Sequence, residues 1–257
     1  MRVRIKYSKQ GLLKFIGHLD MMRCFQKLLR RAGVDVTFSE GYSPHMVMSY
    51  AFPLGVGMTS DSEYVDVDLN RAYSSRELVS LLNEAAPEGL HVLDAREVPL
   101  GKGNKGMTLV ARADYTLGFR PGHEWDPSYQ EAFRSWVKQP SIYAMKKGKK
   151  GEKEVDIAPF LYEAVISPEP KRVCGIADEE SELRKGDIFL SLSAGSGTNI
   201  RPDLVMDTFA KDSGLLPDPY RFMINRDEVY ADLGEARPES DRFVPLIGLG
   251  TTMEFGE

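Results

Sequence analysis

Cysteine is nearly missing from this 257-residue sequence: Cys24 and Cys174 are its two examples. Two thiols cannot build a disulfide framework. Two cysteines 150 residues apart also cannot supply the thiolates of an iron–sulfur cluster. No run of about 18 apolar residues occurs, so no membrane-spanning helix is expected. The N-terminus enters a strand-like Arg2-Val3-Arg4-Ile5-Lys6-Tyr7 with no apolar signal core, and a cytoplasmic protein is expected. A Gly-x-x-x-x-Gly-Lys-Ser/Thr loop is absent, so nucleotide hydrolysis has no support. His18, Asp20, His45 and Glu63 have the right chemistry for zinc or iron, but no pair of them has the i,i+4 spacing of a helical metal site. No metal or cofactor is expected.

Charge is present but unevenly placed. Residues 1–153 hold 23 Lys+Arg against 17 Asp+Glu, and residues 154–257 hold 10 against 21. The total of −5 argues against indiscriminate nucleic-acid binding, while the basic half remains able to meet a polyanion.

The apolar pattern predicts an α+β protein. Arg2 to Lys6 reads as strand. Leu19, Met22, Phe25, Leu29 and Ala32 recur at three- and four-residue steps, which predicts a helix from Leu19 to Ala32 with that face buried and Arg23, Lys27, Arg30 and Arg31 outside. Gly33 supplies a stop. Val34 to Phe38 and Met46 to Phe52 read as strands, and Glu63 to Leu69 alternates as a half-exposed strand should. Ser74 or Ser75 caps a second helix, and His91 to Val98 is a further strand. This β-α-β-β-α-β order is that of the ferredoxin-like fold. The order recurs in a strand from Ala113, a helix at Tyr129 to Val137, a hairpin with a lysine-rich tip at Lys146 to Gly151, a strand at Asp187 to Leu192, a helix at Pro202 to Lys211 and a strand at Arg221 to Ile224. Two tandem ferredoxin-like halves are therefore expected, residues 1–100 and 111–230. A loosely ordered tail at 231–257, rich in Pro, Gly and charge, would follow.

The stretch from Phe15 to Leu69 carries the most chemistry. It holds Gly17-His18-Leu19-Asp20, the basic helix, Ser39-Glu40-Gly41-Tyr42-Ser43-Pro44-His45, then Pro53-Leu54-Gly55-Val56-Gly57 and Glu63-Tyr64-Val65-Asp66. Turns alone do not need so many side-chain donors and acceptors. Candidate ligand or nucleic-acid contacts are His18, Asp20, Arg23, Lys27, Arg30, Arg31, Tyr42, Ser43, His45 and Glu63. These groups are expected to converge on one surface, with Tyr7, Tyr42 and Tyr50 offering faces on which bases stack. Arg201 joins them because Asn199-Ile200-Arg201-Pro202 opens a helix whose free N–H groups can hold an anion.

These segments resemble the radical-SAM-linked domain of unknown function, found as short proteins or fused to cobalamin-binding radical-SAM proteins. The residues carrying the resemblance are His18, Leu19, Asp20, Arg23, Arg30 to Gly33, Ser39, Gly41, Tyr42, Pro44, His45, Pro53, Leu54, Gly57, Glu63, Tyr64 and Asp66, with Asn199 to Val205 as a second match. One departure is Met46-Val47 where the family pattern has Pro followed by a basic residue. The resemblance implies partnership with a radical-SAM enzyme and leaves the chemistry open. Two functions are expected on this basis. The first is an accessory protein that recognises RNA or docks on the enzyme to present substrate. The second is a metal-independent RNA-processing enzyme with His18 as acid/base.

Overall fold

A computed structural model describes residues 1–148, 151–166 and 188–254; Cys174, Asp187 and two lysines of the expected hairpin tip, Lys149 and Lys150, lie outside them. The elements run β1 (Arg2–Lys9), α1 (His18–Arg31), β2 (Met48–Tyr50), β3 (Thr59–Asp68), α2 (Ser75–Ala85), β4 (Leu90–Val98), α3 (Gly106–Leu109) and β5 (Val110–Phe119). They continue with α4 (Tyr129–Trp136), β6 (Tyr143–Gly148), β7 (Gly151–Asp156), β8 (Leu161–Ile166), β9 (Ile188–Ser193), α5 (Pro202–Asp212) and β10 (Phe222–Asp232). The last elements are α6 (Glu239–Arg242), β11 (Phe243–Pro245) and β12 (Thr251–Thr252). The architecture is mixed α+β, rich in sheet. It divides into two compact units, Met1–Arg112 with Glu228–Glu257, and Ala113–Asp227.

In the first unit β1 pairs antiparallel with both β3 and β4, and β2 pairs antiparallel with β3, giving the order β4-β1-β3-β2. Alternation along the strands sorts the two faces of this sheet. Val3, Ile5 and Tyr7 of β1 and Val65 and Val67 of β3 face the helices and meet Phe25, Leu28, Leu29, Leu78 and Leu82. Arg2, Arg4 and Lys6 alternate with them, and the register sets Arg2 opposite Asp68 and Arg4 opposite Asp66.

That second face is not solvated, and the half-exposed strand expected at Glu63 to Leu69 is corrected: Glu63 to Val67 are all buried. Arg4 Nε and Nη2 donate to the two oxygens of Asp66 at 2.8 and 3.0 Å, and the remaining Arg4 donors reach the carbonyls of Asn104 and Leu246. Lys6 Nζ lies 2.7 Å from Glu228, which also accepts the Tyr64 hydroxyl. Burial pushes the Tyr64 phenol well above its ordinary pKa, and the neighbouring Glu228 charge adds to that.

α1 ends in a Schellman motif. Gly33 takes φ 65°, its N–H bonds to the Arg30 carbonyl, and the Val34 N–H returns to the Leu29 carbonyl. The buried face of α1 is Met21, Phe25, Leu28 and Leu29, and Leu19 is exposed. The expected register was thus rotated. Of the adjacent apolar pairs, Met21 is buried ahead of Met22, while Leu28 and Leu29 are both buried, and in this register Arg23, Lys27, Arg30 and Arg31 all stay outside. Val34 to Phe38 forms isolated bridges rather than a strand, Val36 to Leu69 and Phe38 to Met46, because its backbone bonds are divided between two neighbours.

The C-terminal segment, expected to be a loose tail, is instead built into the first unit. β12 pairs with β4, and Leu246 and Met253 are buried. Its Pro and Gly content marks turns between short packed pieces.

In the second unit the hydrogen-bonded order is β10-β5-β9-β8, and β6–β7 form a separate ribbon. Its core is aromatic: Phe133, Trp136 and Phe209 pack edge to face or stacked, and the Trp136 indole donates to Asp212 at 2.9 Å. β8 was not foreseen, although Pro159 before it and Ser167-Pro168 after it bracket the apolar run Leu161 to Ile166.

Candidate functional site

The N-terminal end of α1 covers a small pocket in the first unit. It is lined by Tyr7 and Lys9 of β1, Glu63 of β3, His18 and Met21 of α1, and Tyr50 beside Leu54, with ≈ 10 Å³ of free space, about one water. Tyr7 stands opposite Glu63 in the strand register, so both project toward the helix. Lys9, Tyr7 and Glu63 are 2%, 1% and 4% exposed. The Lys9 ammonium donates to the Ile16 carbonyl at 3.1 Å. His18 is the first residue of α1, half-buried, with its ring edge-on to Tyr50 at 5.1 Å. Burial, and then the Cys24 and Glu63 charges, push the Tyr50 phenol far up, so it stays protonated at every physiological pH. An ammonium, a carboxylate, an imidazole and two phenols around one water can hold or relay a proton. A polymer cannot enter.

The expected convergence is not found. His18 and Glu63 share this pocket. Ser39 and His45 close a separate loop: Ser39 Oγ lies 2.8 Å from His45 Nδ1, and the Ser39 N–H bonds to the His45 carbonyl at 2.8 Å. Tyr42 and Ser43 are exposed in that loop. Met48 and Tyr50 pair with Val67 and Val65, so His45 stands five residues back along an extended segment, about 16 Å from Tyr50. Tyr7 and Tyr50 are buried and offer no face to a base; of the three tyrosines only Tyr42 does. Asp20 pairs with Arg23 at 3.1 Å on the exposed side of α1. Arg201 belongs to the second unit, where it caps α5 and pairs with Asp203 at 3.0 Å. Among the described residues no three His, Cys, Asp or Glu side chains are grouped to hold a metal ion.

What the sequence did not disclose lies around His18. The single turn Gly11–Phe15, the start of α1 and the loop 53–57 are tied together: the Gly57 N–H bonds to the Lys14 carbonyl at 2.7 Å, and Val56 approaches Gly17. These segments leave Phe15, Leu19 and Val56 at 62%, 66% and 63% exposure. At about 100° per residue, Leu19, Arg23, Lys27 and Arg30 fall within an arc of about 80° on the outer side of α1. An apolar tip thus runs into a basic row. Lys27 and Arg31 also face Cys24, whose thiol is raised by burial more than these cations lower it. Counting Leu19 into the buried face of α1 hid its exposure, and nothing in the local sequence marks Phe15 or Val56 as exposed.

Among solved structures, a Cbf5-Nop10-Gar1 complex is similar with a TM-score of 0.44 at 9% identity, covering 88% of this chain; the chain spans 48% of that one. The first two RRM domains of the yeast poly(U)-binding protein Pub1 are similar at TM-score 0.20 and 9% identity, over 88% of this chain and 98% of that one. No curated protein matches. A family model described as an uncharacterized protein conserved in bacteria, DUF2344, matches residues 2–202, and the chain belongs to that family.

Proposed function

We propose that this chain is a cytoplasmic accessory protein that docks on a cobalamin-binding radical-SAM enzyme and presents substrate to it. The enzyme class comes from the motif resemblance. The observation that carries docking is the exposed Phe15, Leu19 and Val56 tip continuous with Arg23, Lys27 and Arg30 on one face of α1. Large apolar side chains gathered in the open beside a charged row suit a protein interface, where a dry centre is ringed by charge. The fold reading behind it is two ferredoxin-like halves. Its support is that β4-β1-β3-β2 and β10-β5-β9-β8 repeat one strand order on one element order. The test is a photo-crosslinking residue at Val56, with the captured protein identified by mass spectrometry. A radical-SAM enzyme should be captured, and Leu19→Asp should reduce the yield at least tenfold. Capture of nucleic acid alone, or of the same proteins by a control residue on α2, rejects the reading.

A second reading has one specific observation in its favour. His18 lies over buried Lys9 and Glu63, an arrangement able to move a proton. If the chain cleaves RNA with His18 as acid/base, His18→Ala should abolish turnover of labelled RNA and leave binding within about twofold. If the wild-type chain shows no cleavage, this reading is dropped.

A further inference from the structure

We infer that the β6–β7 ribbon of the second unit binds a phosphodiester backbone. Among the described residues the ribbon pairs with no other strand, and it is anchored at its base. Ala144 is buried opposite Val155, the Ile157 N–H bonds to the Ile142 carbonyl, and Asp156 accepts the Ile142 N–H. Beyond that anchor its two faces differ in charge. On the outer face Lys147 stands opposite Glu152, 3.6 Å apart, and Met145 opposite Glu154. That face carries its own counter-charges. On the other face Lys146 stands directly opposite Lys153. Neither forms an ion pair with another described residue.

Two ammonium groups facing each other across a strand pair repel, and such pairs weaken a ribbon. The pair borders a cleft of ≈ 540 Å³ at the end of the ribbon, lined by Lys146, Lys153 and Val155 and, from the other face, by Lys147 with its partner Glu152, so its cations outnumber its one carboxylate. A negative group entering there would lie between both cations at once. The lysines are point charges on long stems, which track a flexible chain of phosphates rather than select one fixed planar partner. A two-stranded ribbon also has the width of a nucleic-acid groove. These features fit a repeating phosphodiester better than a single carboxylate. RNA and DNA share this backbone, and among the described residues of this face none is placed to read a base or a sugar. The inference concerns another surface than the docking tip, and its test uses no enzyme.

The experiment is fluorescence anisotropy on the full chain with labelled 20-nucleotide single-stranded RNA, the matching single-stranded DNA and the duplex DNA, from 50 to 200 mM NaCl. Lys146→Ser/Lys153→Ser should weaken binding about tenfold at the lowest salt. It should also flatten the log–log salt slope by about 1.4 on single strands, since each neutralised phosphate contributes about 0.7. Lys147→Ser, whose charge Glu152 already meets, should weaken binding less than threefold. The tightest of the three probes identifies the natural backbone. If the double variant matches wild type in affinity and slope on all three probes, or if Lys147→Ser is as damaging, the inference is overturned. Persistent crosslinking at Val56 would then leave the docking reading standing by itself.

Discussion

Asp66→Ala should lower the unfolding free energy by about 3–5 kcal/mol, the usual cost of removing one partner of a buried ion pair. Arg4 is fully buried and Asp66 is 2% exposed. Asp66 accepts two bonds from the Arg4 guanidinium and a third from the Gly106 N–H at 2.7 Å. Without it the guanidinium keeps the carbonyls of Asn104 and Leu246 but loses its counter-charge in a place water cannot reach. The cost therefore comes from the charge left behind more than from the bond lost. Replacing both partners by apolar side chains, Arg4→Met/Asp66→Leu, should then be less damaging than Asp66→Ala alone. Urea denaturation of wild type, Asp66→Ala and the double variant ranks the three chains. A loss below about 1 kcal/mol for Asp66→Ala, or a double variant less stable than Asp66→Ala, would show that the cost does not come from a charge left buried.

The same residues show what could be learned before the structure. The alternation in β1 and β3 was legible, and so were the helices α1, α2, α4 and α5 and the ribbon. Alternation of charge with apolar residues normally means one wet face. Here it means two dry ones, and the clue was reciprocal: the basic positions of β1 meet acidic positions of β3 when the strands run antiparallel. Arg2 and Arg4 pair with Asp68 and Asp66 only in that register, so a charge match between two strands was a signal of burial that reading each strand alone could not give. The candidate site was legible in its residue types but not in its grouping. His18 and Glu63 meet because β1 places Tyr7 opposite Glu63 beneath the start of α1. His45 is held elsewhere by Ser39, a local bond that a turn rich in Gly and Ser makes by itself. Lys9 was missed because a lysine at a strand end is usually solvated; here the Gly11–Phe15 turn folds over it and supplies the Ile16 carbonyl.

Ending the chain at Pro245 should destabilise the first unit more than any single substitution above. The segment removed carries Leu246, Ile247 and Met253, all buried, which together are worth roughly 5–9 kcal/mol of apolar burial at ~1.5–3 kcal/mol each. That rivals the ~5–15 kcal/mol that holds a whole domain together. The polar losses add to it. Arg4 forfeits the Leu246 carbonyl, and Ser75 at the start of α2 forfeits a reciprocal pair: its N–H donates to the Met253 carbonyl and its Oγ accepts the Met253 N–H, both at 2.9 Å. The edge of β4 loses Thr251 and Thr252 opposite Glu97 and Arg96. The truncated chain should therefore aggregate or melt at least 15 °C below the full chain, given that about 1 kcal/mol moves the midpoint of a large domain by about 2–4 °C. A milder pair of variants separates packing from loss of the whole segment. Met253→Ala should cost about 2–5 kcal/mol through the cavity it leaves. Gly250→Val should act through crowding, because even a Cβ there would sit 2.7 Å from Arg96 Cβ and 3.0 Å from the Glu97 carbonyl. A Pro- and Gly-rich tail that merely trailed in solvent would be indifferent to all three changes. Equal melting temperatures for the full chain, the truncation and Met253→Ala would restore the loose tail that composition suggests and remove the C-terminal segment from the first unit's core.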